Sequence, residues 1–268
     1  MPAIQPCALL LVVGPDWQVE AASANVAMLG DGRPTTVVGE PLADLIGSKA
    51  IHTLRNRMSW LSSDESEVQD FGVEWGDVIF DVRAVRANDH YLIEAELAVE
   101  QRLPDGIGMV RSMSDRLTGD DPLRLAELAM RQLTALTGFD QVMLVNRDGA
   151  PVASALRGKG PPASLPADKQ VRVTADRDAE PVPLMGGEIP KLVSRAAHVA
   201  PDEAERKRLA VIGVAATIAL PLRIDGQLVG ALHALHNSPR RCGAERRSVA
   251  HLFAERLVAR MARCGWQP

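Results

Sequence analysis

Residues 68–99 read VQDFGVEWGDVIFDVRAVRANDHYLIEAELAV. Three alternating segments, 68–75, 78–86 and 91–99, are separated by Gly76-Asp77 and Asn88-Asp89. Both pairs are hairpin chemistry, because Gly, Asn and Asp accept the left-handed backbone of a tight two-residue turn. The stretch therefore predicts three consecutive antiparallel strands. Upstream, the apolar run ALLLVV at 8–13 reads as a buried strand closed by Gly14-Pro15-Asp16, and 18–21 pairs back on it. Ser23 or Asn25 is placed to cap a helical turn ending at Gly30. Segments 41–46 and 49–58 read as short helices, with Leu42, Leu45 and Ile46 on one apolar edge. Two strands, short helices and three strands make an α+β domain with a central antiparallel sheet.

The second half repeats that class with other proportions. Asp120-Asp121-Pro122 sets an acidic cap and a first-turn proline before a helix over 123–136, which Gly138 ends. Strands are expected at 141–147, 151–156, 171–174, 215–224 and 227–236, with Asp225-Gly226 turning the last pair. A helix is expected over 202–211, and an amphipathic one over 244–262, where Val249, Leu252, Phe253, Leu257 and Met261 share a face. Segments 158–169 and 176–187 read as loops. The boundary is placed near residue 105, giving domains 1–105 and 106–268.

Composition narrows the function classes. The 30 basic and 34 acidic residues give a net charge of −4, without the basic face that nucleic acid requires. The early apolar run is far shorter than the roughly 20 residues of a membrane span, and the N-terminus lacks the basic start of a signal peptide. Three scattered cysteines, Cys7, Cys242 and Cys264, supply no disulfide framework, so a cytoplasmic location is expected. No GxSxG, Walker A, HExxH or Rossmann pattern is present, and the chain reads as non-enzymatic.

Several segments in order carry a resemblance. Ile4-Gln5-Pro6, the motif ASAN at 22–25 and GEPLADLIG at 39–47 are similar to the PAS domain of bacteriophytochromes. GFDQVM at 138–143, DRDAEPVPL at 176–184, and HNSPRR at 236–241 resemble the phytochrome GAF domain. The resemblance spans 4 to about 261 and implies a PAS-like domain followed by a GAF-like one. It further implies a sensory role in signal transduction, with biliverdin as the family's chromophore and a homodimer built through the GAF helices.

The departures from that family bear on the chromophore. Bacterial members attach biliverdin through a cysteine ahead of the Ile-Gln-Pro motif. This sequence starts three residues before Ile4, so that segment and its cysteine are expected to be missing. Cys7 lies after the motif and reads as a small buried residue rather than a substitute thiol. The family's PASDIP motif appears as PASLP at 162–166, without its aspartate. Counting from Gly213 and from Ser238-Pro239, the two pocket histidines fall on Glu205 and Leu235. Of two strand hydroxyls that meet a propionate, Thr217 keeps one and Ala219 loses the other. Between 121 and 262 the aromatic residues are Phe139 and Phe253 alone.

The expectation is a regulatory PAS–GAF module with no cofactor, unable to hold bilin covalently and insensitive to light. The alternatives are a working biliverdin or tetrapyrrole photoreceptor and a GAF sensor of another small ligand. Thr217, His233, His236 and Arg195 are the candidate ligand-binding residues of the residual pocket. On a strand His233 and His236 point to opposite faces, so they form no metal pair, and satisfied strand-end histidines are the competing reading. Arg195 could meet an anionic ligand or lie on a solvated helix face. Partners are expected among proteins of a signalling pathway, with neither nucleic acid nor membrane involved.

Overall fold

The computed structural model describes residues 3–30, 37–61, 67–87, 89–99, 102–157, 165–187 and 190–267. The chain divides into two compact units. One comprises Met1–Glu100 with Ala179–Ala200, and the other Gln101–Asp178 with Pro201–Pro268.

In the first unit, β1 (Ala3–Ile4), β2 (Ala8–Val13) and β3 (Val19–Ser23) precede α1 (Leu42–Ile46) and α2 (Ser48–Met58). Strands β4 (Glu67–Trp75), β5 (Val78–Ala87) and β6 (His90–Leu97) follow as the alternation predicts. Gly76 takes a φ of 65° in the β4–β5 turn, while Asn88 lies outside the described residues. Ser23 and Asn25 serve β2 rather than a cap: Ser23 Oγ accepts from the Leu10 N–H, and Asn25 Nδ2 donates to the Ala8 carbonyl.

All six residues of β2 are buried, because both faces of the sheet are covered. Leu9, Leu11 and Val13 pack with α1 and α2 residues such as Leu42, Leu45 and Leu54. Leu10 and Val12 face the other way, onto Leu192, Val193 and Ala196. Those three belong to the 179–200 segment, which leaves the second half of the sequence to complete the first unit. Its strand β10 (Val182–Gly186) pairs antiparallel with β1 and β3, and the short helix α5 (Pro190–Val193) follows. The sheet order is therefore β1-β10-β3-β2-β6-β5-β4. Residues 176–187 thus contain a strand where the sequence predicts a loop. Pro183 argues locally against a strand, and the pairing partners lie in the other half of the chain.

A charged cluster ties this segment down. Glu94 on β6, 3% exposed, accepts from the backbone N–H groups of Ala197 and His198 and meets His198 Nδ1 at 3.2 Å. It also receives Arg83 Nη1 at 2.7 Å, and Arg83 in turn bonds Glu67. Burial alone would raise the Glu94 pKa, but the His198 hydrogen bond and the Arg83 charge hold it well below the ordinary carboxylate range.

The second unit opens with α3 (Gly106–Asp115) and α4 (Pro122–Thr137), then β7 (Gln141–Asn146), β8 (Pro151–Leu156) and β9 (Arg172–Thr174). It resumes with α6 (Glu203–Val211), β11 (Ala216–Ile224), β12 (Gln227–His236) and α7 (Ala244–Arg263). The Asp121 carboxylate accepts from the N–H groups of Leu123 and Arg124, Pro122 fills the first turn, and left-handed Gly138 ends α4, as the sequence predicts. The antiparallel sheet runs β8-β7-β12-β11-β9. Along β12, Leu232 and Ala234 face the core that α3, α4 and α7 build with Phe139 and Phe253. Ala231 and Leu235 face the other side, with Leu165 and Leu209 of α6. Leu103 belongs to this unit as well, its N–H donating to the Glu245 carboxylate.

Candidate functional site

A small cavity lies on the α6 side of the second sheet. Strand alternation brings Thr217 and Ala219 of β11, His233 of β12, and Arg172 and Thr174 of β9 to one face. Leu165 and Asp168 of the preceding segment, and Glu205, Arg208 and Leu209 of α6, close over them. These residues leave about 10 Å3, roughly the room of one water molecule. Met143, Val145, Leu165, Leu209, Val214 and Leu235 pack together beside it as a small apolar core.

His233 is the central polar group. It is 1% exposed, and its Nε2 lies 3.0 Å from the Pro166 carbonyl. A carbonyl only accepts, so Nε2 carries the proton and Nδ1 presents a lone pair. Nδ1 has no hydrogen-bond partner among the described residues. Burial pushes the His233 pKa down to about 4, with the Arg208 charge adding to the fall and the Pro166 carbonyl opposing it. The ring is therefore neutral at pH 7. Burial and the charge of Glu205 shift Asp168 the other way, upward. Glu205 pairs with Arg208 at 3.4 Å across one turn of α6.

The four candidate residues separate. Thr217 and His233 line the cavity. His236 lies on the opposite face, edge-on to Phe139 with ring centroids 5.8 Å apart, and its Nδ1 meets Ser238. Arg195 belongs to the first unit, beyond the end of α5, where its Nη1 donates to the Arg86 carbonyl. Sequence reasoning missed Arg172, Arg208 and Asp168. Their signal was present only in part: alternation pairs Arg172 and Thr174 with Ala219 and Thr217. Leu235 is 1% exposed and packs in the apolar core, while Glu205 faces the cavity mouth beside Arg208. Residues 162–164 of the PASLP motif lie outside the described residues. Cys7 follows β1 and is half-buried.

The lining is mainly polar, with Leu165, Leu209 and Ala219 as its apolar members. Small-molecule sites enclose some 300–1,000 Å3, far more than the space these side chains leave. Phe139 and Phe253 both belong to the helix-side core and offer the cavity no aromatic wall. Among the described residues no group of three or more metal-ligating side chains converges, and no helix is long and apolar enough to cross a membrane.

The model of the GAF domain matches residues 121–261, more than half of the sequence. The chain belongs to the GAF domain family. Ahead of the GAF match, residues 2–98 match the PAS fold. The solved structures agree on both parts. The chromophore-binding domain of Stigmatella aurantiaca phytochrome P1 superposes with a TM-score of 0.80 at 22% identity, over 96% of this chain and 95% of that one. The chromophore-binding domain of an unusual bacteriophytochrome from R. palustris gives 0.77 and 22%, over 98% and 95%. The larger photosensory core module of the Stigmatella phytochrome gives 0.81 at 21%, with 97% of this chain covering 58% of it. No curated protein matches this chain at a significant level. In fold the chain is a phytochrome-like PAS–GAF module, with the 179–200 segment of its GAF half folded into the PAS sheet.

Proposed function

We propose that this PAS–GAF module is a non-catalytic regulatory protein of cytoplasmic signal transduction whose GAF pocket no longer takes bilin, so that it does not respond to light. The observation that carries the reading is the filled pocket. His233 turns into the ligand face and bonds Pro166, Leu165 and Leu209 close over the sheet, and about 10 Å3 remains. The resemblance points the same way, since Leu235 and Glu205 occupy the positions of two chromophore-contacting histidines. A tetrapyrrole would have to displace a packed apolar cluster and break the His233–Pro166 bond before making any contact of its own. Equilibrium dialysis of the purified chain against biliverdin tests this. Retention no greater than that of an unrelated protein is expected, and saturable one-to-one retention refutes the reading in favour of a non-covalent photoreceptor.

The module works, on this reading, as a homodimer through its GAF helices. Leu123 at the start of α4 and Leu252 on α7 support this: both are large apolar side chains, 55% and 42% exposed. Sedimentation velocity at about 50 µM, a concentration at which a micromolar dimer is populated, is expected to show the dimer. Leu252→Glu is expected to shift it toward monomer. A wild-type chain that sediments as a monomer throughout contradicts the proposal.

A further inference from the structure

The second unit carries an open groove of about 430 Å3 between the end of α3 and the last turns of α7. Leu117 and Leu257 form its buried floor, and Arg256, Arg260, Arg263 and Asp115 line it. The three arginines recur at i, i+4 and i+7 and so share one face of the helix. Arg260 is fixed, with Nη1 donating to the Leu117 carbonyl at 2.6 Å and Nη2 to the Gly119 carbonyl at 2.9 Å. Arg256 and Arg263 are exposed and make no hydrogen bond or ion pair among the described residues. Asp115 is the single carboxylate among the lining residues. Three guanidinium charges thus meet one negative charge in a chain whose net charge is −4.

Attraction to the carbonyl end of the helix dipole accounts for a cation in the last turn of α7. It does not account for Arg256, two turns earlier, or for three guanidiniums converging on one groove. We propose that the groove binds a small phosphate-bearing ligand, with the phosphoryl oxygens held by Arg256 and Arg263 beside the fixed charge of Arg260. The planar guanidinium fork matches phosphate oxygens two at a time. The groove volume falls within the 300–1,000 Å3 of small-molecule sites, which favours a small ligand over an extended phosphorylated segment of a partner. This inference stands apart from the sheet cavity and does not depend on whether bilin binds there.

Calorimetric titration of the full chain with inorganic pyrophosphate tests it. One-to-one binding is expected at low salt, weakening as ionic strength rises from about 0.02 to 0.2 M. R256Q/R263Q is expected to bind at least about tenfold more weakly, a loss of about 1.4 kcal/mol or more. Its thermal midpoint should stay unchanged, because both side chains are exposed and unpaired. Arg131→Gln, an exposed arginine of α4, should bind as wild type. No saturable heat up to about 10 mM, or an equal loss in Arg131→Gln, overturns the proposal. So does capture of a phosphoserine peptide without any binding of pyrophosphate, which would make the groove a protein-docking surface.

Discussion

Replacing Glu94 by alanine is expected to destabilise the first unit by about 3–5 kcal/mol, the usual cost of removing one partner from a buried ion pair. The carboxylate is 3% exposed and satisfies Arg83, the His198 ring and the N–H groups of Ala197 and His198. Alanine leaves those donors facing an apolar interior, and each unsatisfied group costs about 1–3 kcal/mol. The groups freed lie on β5, which carries Arg83, and on the 179–200 segment, so the substitution removes the tie between that segment and the sheet. Glu94→Gln keeps one acceptor but loses the charge facing Arg83, and a smaller loss is expected. Urea denaturation followed through the fluorescence of Trp17 and Trp75, both in the first unit, reads the effect. A midpoint within error of wild type for Glu94→Ala would show that the cluster contributes nothing to holding the segment.

His233 is expected to make the second unit sensitive to acid. Its folded pKa of about 4 lies below the ordinary 6.5, so the unfolded chain takes up the proton first as pH falls. Above pH 6.5 the ring is neutral in both states and adds no pH dependence. Stability is then lost progressively between pH 6.5 and 4, by up to about 3 kcal/mol in total. Asp168, Glu205, Arg172 and Arg208 face the same cavity, so the contribution of His233 must be isolated by difference. His233→Gln retains a side-chain N–H for the Pro166 carbonyl but does not titrate. Denaturation of both proteins at pH 7 and at pH 4 supplies the difference. Wild type should lose about 3 kcal/mol more than the variant over that range, whereas parallel losses would mean that His233 is not buried as a neutral ring.

The sequence made the locally determined parts of this fold legible. Alternation and turn residues located β4, β5 and β6, and the Asp121–Pro122 start and Gly138 end bounded α4, because each signal acts between near neighbours. Strand β10 escaped because its partners β1 and β3 are encoded in the other half of the chain and Pro183 speaks against a strand. The Glu94 cluster escaped for a related reason. Glu94 and Glu96 alternate with apolar residues along β6, a pattern that assigns them to solvent until the 179–200 segment covers that face. At the candidate site, alternation correctly set His233 and His236 on opposite faces, and the structure adds which face is the cavity. Arg172 and Arg208 could not be placed beforehand, since their convergence depends on how α6 crosses the sheet. Arg195 had looked like a member of the same pocket, yet the segment that carries it belongs to the first unit.

On the reading proposed, the GAF pocket is filled by the protein's own side chains. An absorption spectrum of the chain purified after co-production with biliverdin, taken before and after red illumination, tests it most directly. A colourless protein with no red or far-red band is the expected result, and with it no change on illumination. A red band that photoconverts would contradict the account, because it would require His233, Leu165 and Leu209 to yield the space of a whole tetrapyrrole.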